Sequence, residues 1–204
     1  NFGDECLEQV EFLEYLNILF TYNGRFEKCK KRRSELGMNR LFAMLSKTRH
    51  LELPLTVQVE LFNRMVLPCM LYGCEVWGYG ANDIIEKVHL RFCKSILMCK
   101  MSTPSCMVYG ELGVFPTSVS IKTRMIGYWA KLVKGNETKL AVQMYKCMYR
   151  LHTEGEFSSP WLLSIKAILE DCGMVNIWEM QDFPNATWLK KATRLRLQDQ
   201  FIQR

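Results

Sequence analysis

The stretch PCMLYGCEVWG, residues 68–78, places two large aromatic rings and two glycines within a few positions of one another. Glycine has no Cβ atom, so it permits tight turns and lets a large ring lie close to the backbone. Tyr72 and Trp77 are each followed by a glycine, which predicts a compact turn whose rings pack between helices. Stacking on the bases of a nucleic acid is the alternative role for such rings.

Apolar residues on both sides of this turn recur with the period of an α-helix. Upstream, the pattern predicts one helix over residues 27–47 and a second between Pro54 and Pro68. Downstream, it predicts a long helix from about residue 85 to 99 and four more, the last over residues 186–202. Glycine and proline predict breaks at residues 71–83 and 102–118. The sequence therefore predicts a mainly α fold, a multi-helix bundle.

Only the N-terminal stretch EQVEFLEYLNILFTYNG, residues 8–24, has the composition of a β element. It combines β-branched and aromatic residues with a turn signal at Asn23 and Gly24. We expect a short β element there, without partner strands elsewhere in the helical chain. The turn at Asn23 and Gly24 and the segment GNET, residues 135–138, are the best candidates for domain boundaries.

The composition is that of a folded protein, with 49% hydrophobic and 24% charged residues among 204. No apolar run approaches the roughly 20 residues of a membrane helix, and the first residues lack a secretory signal pattern, so we expect no membrane contact. Nine cysteines, an odd number, predict reduced thiols that pack as small hydrophobic groups. We therefore expect an intracellular protein, nuclear or cytoplasmic.

The sequence offers little for metal-dependent catalysis, which needs carboxylates clustered around ions about 4 Å apart. It holds no adjacent aspartates, and Glu170 and Asp171 have no acidic partners in view. Cysteines and histidines are too scattered for the paired spacings of a zinc site. We predict no catalytic residue, no metal site and no cofactor in this chain.

The net charge is +6, and residues 25–50 carry nine basic residues against two acidic ones. On a helix, Lys28, Lys31 and Arg32 share one face, with Lys30 and Arg33 beside them. This density suits a phosphate backbone, and the alternatives are a solvated helix face or a localisation tract. The candidate nucleic-acid-binding residues are Lys28, Lys30, Lys31, Arg32, Arg33 and Arg40.

The order of motifs resembles the region just downstream of the catalytic core in reverse transcriptases of non-LTR (LINE-like) retrotransposons. The family's F-x-Y-L-G motif corresponds to Leu13, Tyr15, Leu16 and Asn17. The central motif is represented by Pro68, Leu71, Tyr72, Gly73, Glu75, Trp77 and Gly78. GELGVFP, residues 110–116, and Tyr128–Trp129 follow in the family's order, so the resemblance covers about residues 7–180.

Two residues depart from the F-x-Y-L-G motif. Leu13 replaces the family's Phe, and Asn17 replaces its Gly. Glycine permits backbone dihedrals that asparagine tolerates less well, although asparagine is the least costly replacement where φ is positive. In this family the motif resembles a primer grip, and that role depends on the backbone geometry at the position of Asn17.

The resemblance implies a palm-edge β segment with primer-grip-like residues at 1–24, a helical thumb at 25–134 and a C-terminal helical connection region at 135–204. The family's catalytic carboxylates and their Mg²⁺ belong to the palm, upstream of F-x-Y-L-G, so we expect a piece of a longer polymerase that is inactive alone. The implied partners are an RNA template, an RNA–DNA or DNA primer duplex, and the missing palm and fingers.

The expected function is thus sequence-independent template–primer binding by a non-catalytic fragment of an RNA-directed DNA polymerase. A helical protein-interaction module and a non-functional remnant of a retroelement are the alternatives.

Overall fold

A computed structural model describes residues 10–203 of the chain. In chain order its elements are β1 (Phe12–Tyr15), β2 (Ile18–Thr21), α1 (Glu27–Thr48), α2 (Leu55–Met65), α3 (Leu67–Met70), α4 (Cys74–Trp77), α5 (Asp83–Ile96), α6 (Ser105–Leu112), α7 (Thr117–Val133), α8 (Leu140–Thr153), α9 (Pro160–Asp171), α10 (Val175–Met180) and α11 (Ala186–Ile202). The predicted fold class, mainly α with a short N-terminal β element, is confirmed.

The β element is a hairpin, because β1 and β2 pair with each other in antiparallel register from Phe12 opposite Thr21 to Tyr15 opposite Ile18. Its two-residue turn is Leu16–Asn17, where φ is 47° and 63°. Positive φ at both central residues is the condition for the type I′ turn that suits tight hairpins. The β element thus supplies both of its own strands, and within residues 10–203 no strand elsewhere in the chain pairs with it, as expected.

The predicted turn at Asn23 and Gly24 is present, and it joins β2 to α1. Gly24 has φ of 67°, and its N–H donates to the carbonyl of Thr21 at 3.0 Å. The side-chain oxygen of Asn23 accepts from the N–H of Arg25 at 2.9 Å. Asparagine and glycine thus reverse the chain immediately before the basic helix.

Both predicted breaks contain helical turns. The first holds α4, and the second holds the eight-residue α6. Pro104 lies directly before α6, where its missing N–H is not needed, and Gly113 ends it with φ of 61°. Proline and glycine therefore mark the two ends of a helix here, and the prediction of a break at residues 102–118 was wrong. The short α10 was also not predicted.

The core is one continuous cluster of buried side chains that extends from Cys29 in α1 to Leu197 in α11. Helix α7 lies at its centre and packs against α4, α5, α8, α9 and α11. Trp129 is fully buried, and its Nε1 donates to the hydroxyl of Tyr145 in α8 at 2.8 Å. The packing thus crosses residues 134 and 135, where the sequence placed a domain boundary.

The eight cysteines within residues 10–203 are free thiols, and Cys29, Cys74, Cys93 and Cys172 are buried. Burial raises the pKa of the thiols of Cys74 and Cys93 to about 12. These four therefore behave as small hydrophobic groups, as expected. Among the helices that the structure describes, none is both long enough and apolar enough to cross a membrane.

Candidate nucleic-acid interface

The basic segment, residues 28–33, lies in the first two turns of α1, and the sixth candidate cation, Arg40, lies in its fourth turn. The structure divides these candidates into two groups. Lys28, Lys31 and Arg40 are exposed, and Arg32 is partly exposed. Lys30 and Arg33 are buried, with 7% and 3% of their surface exposed. Two of the six candidate cations are thus enclosed within the fold.

Lys30 connects α1 to the segment that follows α4. Its Nζ donates to the carbonyl oxygens of Tyr79 at 2.6 Å and Ala81 at 2.9 Å. Burial lowers the pKa of this ammonium group, against the raising effect of Glu27, Cys29 and Asp83. These bonds occupy two of the three donors of Lys30 on backbone groups of its own chain.

Arg33 joins three elements at one point. Its guanidinium donates to the carbonyl oxygen of Asn17 in the hairpin turn and lies 4.8 Å from the centroid of the Tyr72 ring. A guanidinium on an aromatic face gains cation–π attraction that increases when water is excluded. Arg33 therefore fixes the position of the hairpin relative to α1 and to the connection between α3 and α4.

The hairpin lies along the cationic side of α1. Arg32 pairs with Glu14 of β1 at 2.6 Å, and the hydrogen bond that the guanidinium donates to the Glu14 carboxylate raises the pKa of Arg32. The Nζ of Lys28 lies 5.3 Å from the centroid of the Phe12 ring. Elsewhere in residues 10–203, no carboxylate forms an ion pair with Lys28, Lys31 or Arg40.

The primer-grip-like residues form the exposed end of the hairpin. More than half of the surface of Leu13, Tyr15 and Leu16 is exposed. Asn17 has φ of 63°, and asparagine is among the non-glycine residues that most readily adopt this conformation. The condition for tolerating Asn17 in place of glycine is therefore met in this structure, although the primer-grip role itself stays a prediction.

The central motif is a packed turn around Trp77, as predicted. Trp77 is fully buried, and its Nε1 donates to the carbonyl oxygen of Tyr72 at 2.9 Å. Gly73 has φ of 70°, and a Cβ atom on Gly78 would collide with Ile121 and with the carbonyl of Cys74. Both glycines are thus required by the local geometry.

The other members of the motif have separate positions. Tyr72 is 46% exposed and supports the Arg33 guanidinium, so the expectation that its ring lies in the core was wrong. Pro68 is exposed in the first turn of α3, and Leu71 is fully buried. The carbonyl oxygen of Glu75 accepts from Nε1 of Trp161 in α9 at 2.7 Å. The motif therefore connects α1, α7 and α9.

The sequence did not reveal a buried polar cluster around Glu86 of α5. Its carboxylate accepts from the N–H and Oγ1 of Thr117 at 2.8 and 2.5 Å, and from the hydroxyl of Tyr109. The Nδ1 of His89 lies 3.3 Å away. Burial alone would raise the pKa of Glu86, but the hydrogen bonds from His89, Thr117 and Tyr109 together lower it.

Glu86 therefore holds the beginning of α7 in place, since a carboxylate at a helix N-terminus is favoured by unpaired N–H groups and by the helix dipole.

Within residues 10–203, no three His, Cys, Asp or Glu side chains form a group that could hold a metal ion. Comparisons of the chain with protein-family models, curated proteins and solved structures find no match. The resemblance to LINE-like reverse transcriptases stays a prediction from motif order.

Proposed function

We propose that this chain is a non-catalytic piece of a retrotransposon RNA-directed DNA polymerase that binds a template–primer duplex without reading its sequence. The observation that carries the proposal is the cationic face of α1, formed by Lys28, Lys31 and Arg32 in its first two turns. Lys28 and Lys31 are exposed and free of ion pairs within residues 10–203, whereas Arg32 is paired with Glu14. Unpaired exposed cations are available to replace the counterions of a phosphate backbone.

The shape of α1 supports contacts with a duplex. Lys28, Lys31 and Arg32 lie within about one helical turn, about 6 Å along the axis, whereas Arg40 lies about two and a half turns beyond Lys31 and therefore on the opposite side of the helix. Since duplex DNA carries one phosphate per about 3.4 Å along each strand, this face spans about two phosphates of a strand. Contacts to phosphates position a nucleic acid without specifying sequence, which is what a polymerase requires.

The buried cations contribute by holding the face in position. Lys30 and Arg33 fix α1 against the segment after α4 and against the hairpin. A rigid support limits the conformational entropy lost when the exposed cations bind. In the proposed polymerase the palm, with its Mg²⁺, and the fingers would lie upstream of this chain, in an intracellular protein that is nuclear or cytoplasmic.

The experiment compares two variants of equal charge change for binding to a fluorescein-labelled RNA–DNA duplex. Neutralising the cationic face with Lys28→Gln and Lys31→Gln should weaken binding about tenfold, because two ion pairs are lost. The matched control is Lys87→Gln with Lys139→Gln. It removes one exposed lysine in α5 and one exposed lysine directly before α8. Equal affinities of the two variants, measured by fluorescence anisotropy, would contradict the proposal.

A helical protein-interaction module is the second candidate, and the hairpin favours it. Phe12, Leu13, Tyr15 and Leu16 are each more than half exposed and lie within five residues. Adjacent exposed apolar side chains are typical of surfaces that another protein covers. In the proposed polymerase the missing palm would cover them, whereas the module predicts defined complexes and no difference between the two lysine variants.

A further inference from the structure

A second basic surface lies between α7 and α11, far along the chain from α1. Two adjoining cavities of about 550 and 580 Å³ share Arg124 and Lys190 in their linings. The first also contains Arg194, and the second also contains Lys131. We call this surface the α7–α11 groove and define its cations as Arg124, Lys131, Lys190 and Arg194.

The packing of the two helices places Lys190 of α11 between Arg124 and Lys131 of α7. The methylene chain of Lys190 lies over Gly127, where α7 has no side chain to obstruct it. Arg124 and Lys131 lie seven residues apart on α7, about 10 Å along the helix axis, and Lys190 and Arg194 lie about 6 Å apart on α11. Positive charge therefore continues along the helix pair from Arg124 through Lys190 to Lys131, with Arg194 in the cavity at the Arg124 end.

The charge of the groove is largely uncompensated. Lys131, Lys190 and Arg194 are exposed, and none of the four cations forms an ion pair with a carboxylate in residues 10–203. Arg124 donates to the carbonyl oxygen of Leu71 at 3.2 Å. Among residues 10–203, Glu75 is the one acidic residue that lines either cavity. A groove with this charge attracts a polyanion.

An aromatic ring lines each cavity of the groove. Phe115 lines the cavity that contains Arg194, and Tyr128 lines the cavity that contains Lys131. Both rings are partly exposed. Cations that follow a backbone, combined with rings on which bases stack, are the two components of single-strand recognition.

We propose that the α7–α11 groove binds a single nucleic-acid strand, with its phosphates on the four cations and unpaired bases against Tyr128 or Phe115. A small phosphate compound would leave most of this line of exposed cations unused. A duplex would keep its bases stacked and unable to reach the rings. The groove is a site separate from the cationic face of α1, and it does not depend on the duplex contacts proposed there.

The test uses the full chain and a labelled single-stranded RNA of about 12 nucleotides. Lys190→Gln with Arg194→Gln should weaken binding about tenfold. The plot of log affinity against log salt should also become less steep by about 1.4, because each of the two lost contacts contributes about 0.7 on a single strand. The Lys87→Gln and Lys139→Gln variant is the control. Both groove substitutions are at exposed side chains, so the fold should be retained.

Three further comparisons decide between occupants. Tyr128→Leu should weaken single-strand binding at least about fivefold without changing the salt slope, since it removes stacking and no charge. The groove variant, Lys190→Gln with Arg194→Gln, should bind the RNA–DNA duplex with wild-type affinity. The α1 variant, Lys28→Gln with Lys31→Gln, should bind that duplex more weakly. Inorganic triphosphate should compete only weakly.

The proposal is overturned if the groove variant binds the single strand as the control does. It is also overturned if triphosphate competes as well as RNA, which would make the groove a site for small anions, or if the groove variant loses duplex affinity as much as single-strand affinity. A failure of the α1 variant to weaken duplex binding would count against the proposed function alone.

Discussion

Single residues in the basic segment have different roles that their side-chain type does not reveal. Lys28, Lys30, Lys31, Arg32 and Arg33 are nearly consecutive in the sequence. A helical pattern shows which of them share a face, but it does not show which neighbouring element will cover that face. The carbonyls of Asn17, Tyr79 and Ala81, which lie far away in sequence, decide that Lys30 and Arg33 are buried.

Arg33→Ala should therefore destabilise the protein. The substitution removes a charged hydrogen bond to the carbonyl of Asn17 and the contact with Tyr72, so we expect the free energy of unfolding to fall by about 2–3 kcal/mol. For a chain of this length the melting temperature should fall by about 4–12 °C. Thermal unfolding followed by circular dichroism measures this change.

Lys31→Ala is the matched control, because Lys31 lies two positions away and is exposed. It should leave the melting temperature nearly unchanged and weaken duplex binding. If Arg33→Ala melted like Lys31→Ala, the interpretation of Arg33 as a buried support would be wrong.

At the scale of elements, strongly periodic helices were predicted well and the short connections were not. Helix α11 has the bounds that its apolar pattern predicted, and α1 differs from its prediction by one residue at its end. Helix α6 was missed because it is only eight residues long and lies between a proline and a glycine, which are also the residues of loops. The hairpin turn was missed because Leu16 is an uncommon residue at positive φ.

The Glu86 cluster joins α5, α6 and the beginning of α7, and its contribution should depend on pH. The pKa of Glu86 is lower in the folded protein than its ordinary value of 4.5. The folded state therefore favours the ionised form. Its stabilising contribution is fully present above about pH 4.5 and is lost as the pH falls through the lower folded pKa.

Glu86→Gln should accordingly lower the stability at pH 7 and reduce its dependence on pH below about 4.5. Urea denaturation of the variant and the wild type at a series of pH values measures both effects. Glu111→Gln, at an exposed carboxylate of α6, is the control and should retain the acid sensitivity of the wild type. A wild-type pH dependence in Glu86→Gln would exclude this role for the carboxylate.

At the scale of the whole molecule, the helices form one packed body around α7. The sequence placed a boundary at residues 135–138 because glycine, asparagine and threonine are common in linkers. It could not show that Trp129, Ile126 and Ala130 would be fully buried or that α7 would pack against α8 and α11. The tertiary partners of a helix face are not encoded in the local pattern of either helix. The α7–α11 groove was missed for the same reason, because its cations lie on two helices about 60 residues apart.

The central claim is that the exposed cations of α1 bind the phosphates of a duplex. The most direct measurement is the affinity of the wild-type chain for an RNA–DNA duplex at a series of salt concentrations. Phosphate contacts from Lys28 and Lys31, with a third where Arg32 exchanges Glu14 for a phosphate, predict a slope of log affinity against log salt of about −2 to −3. An affinity that does not change with salt would contradict the claim.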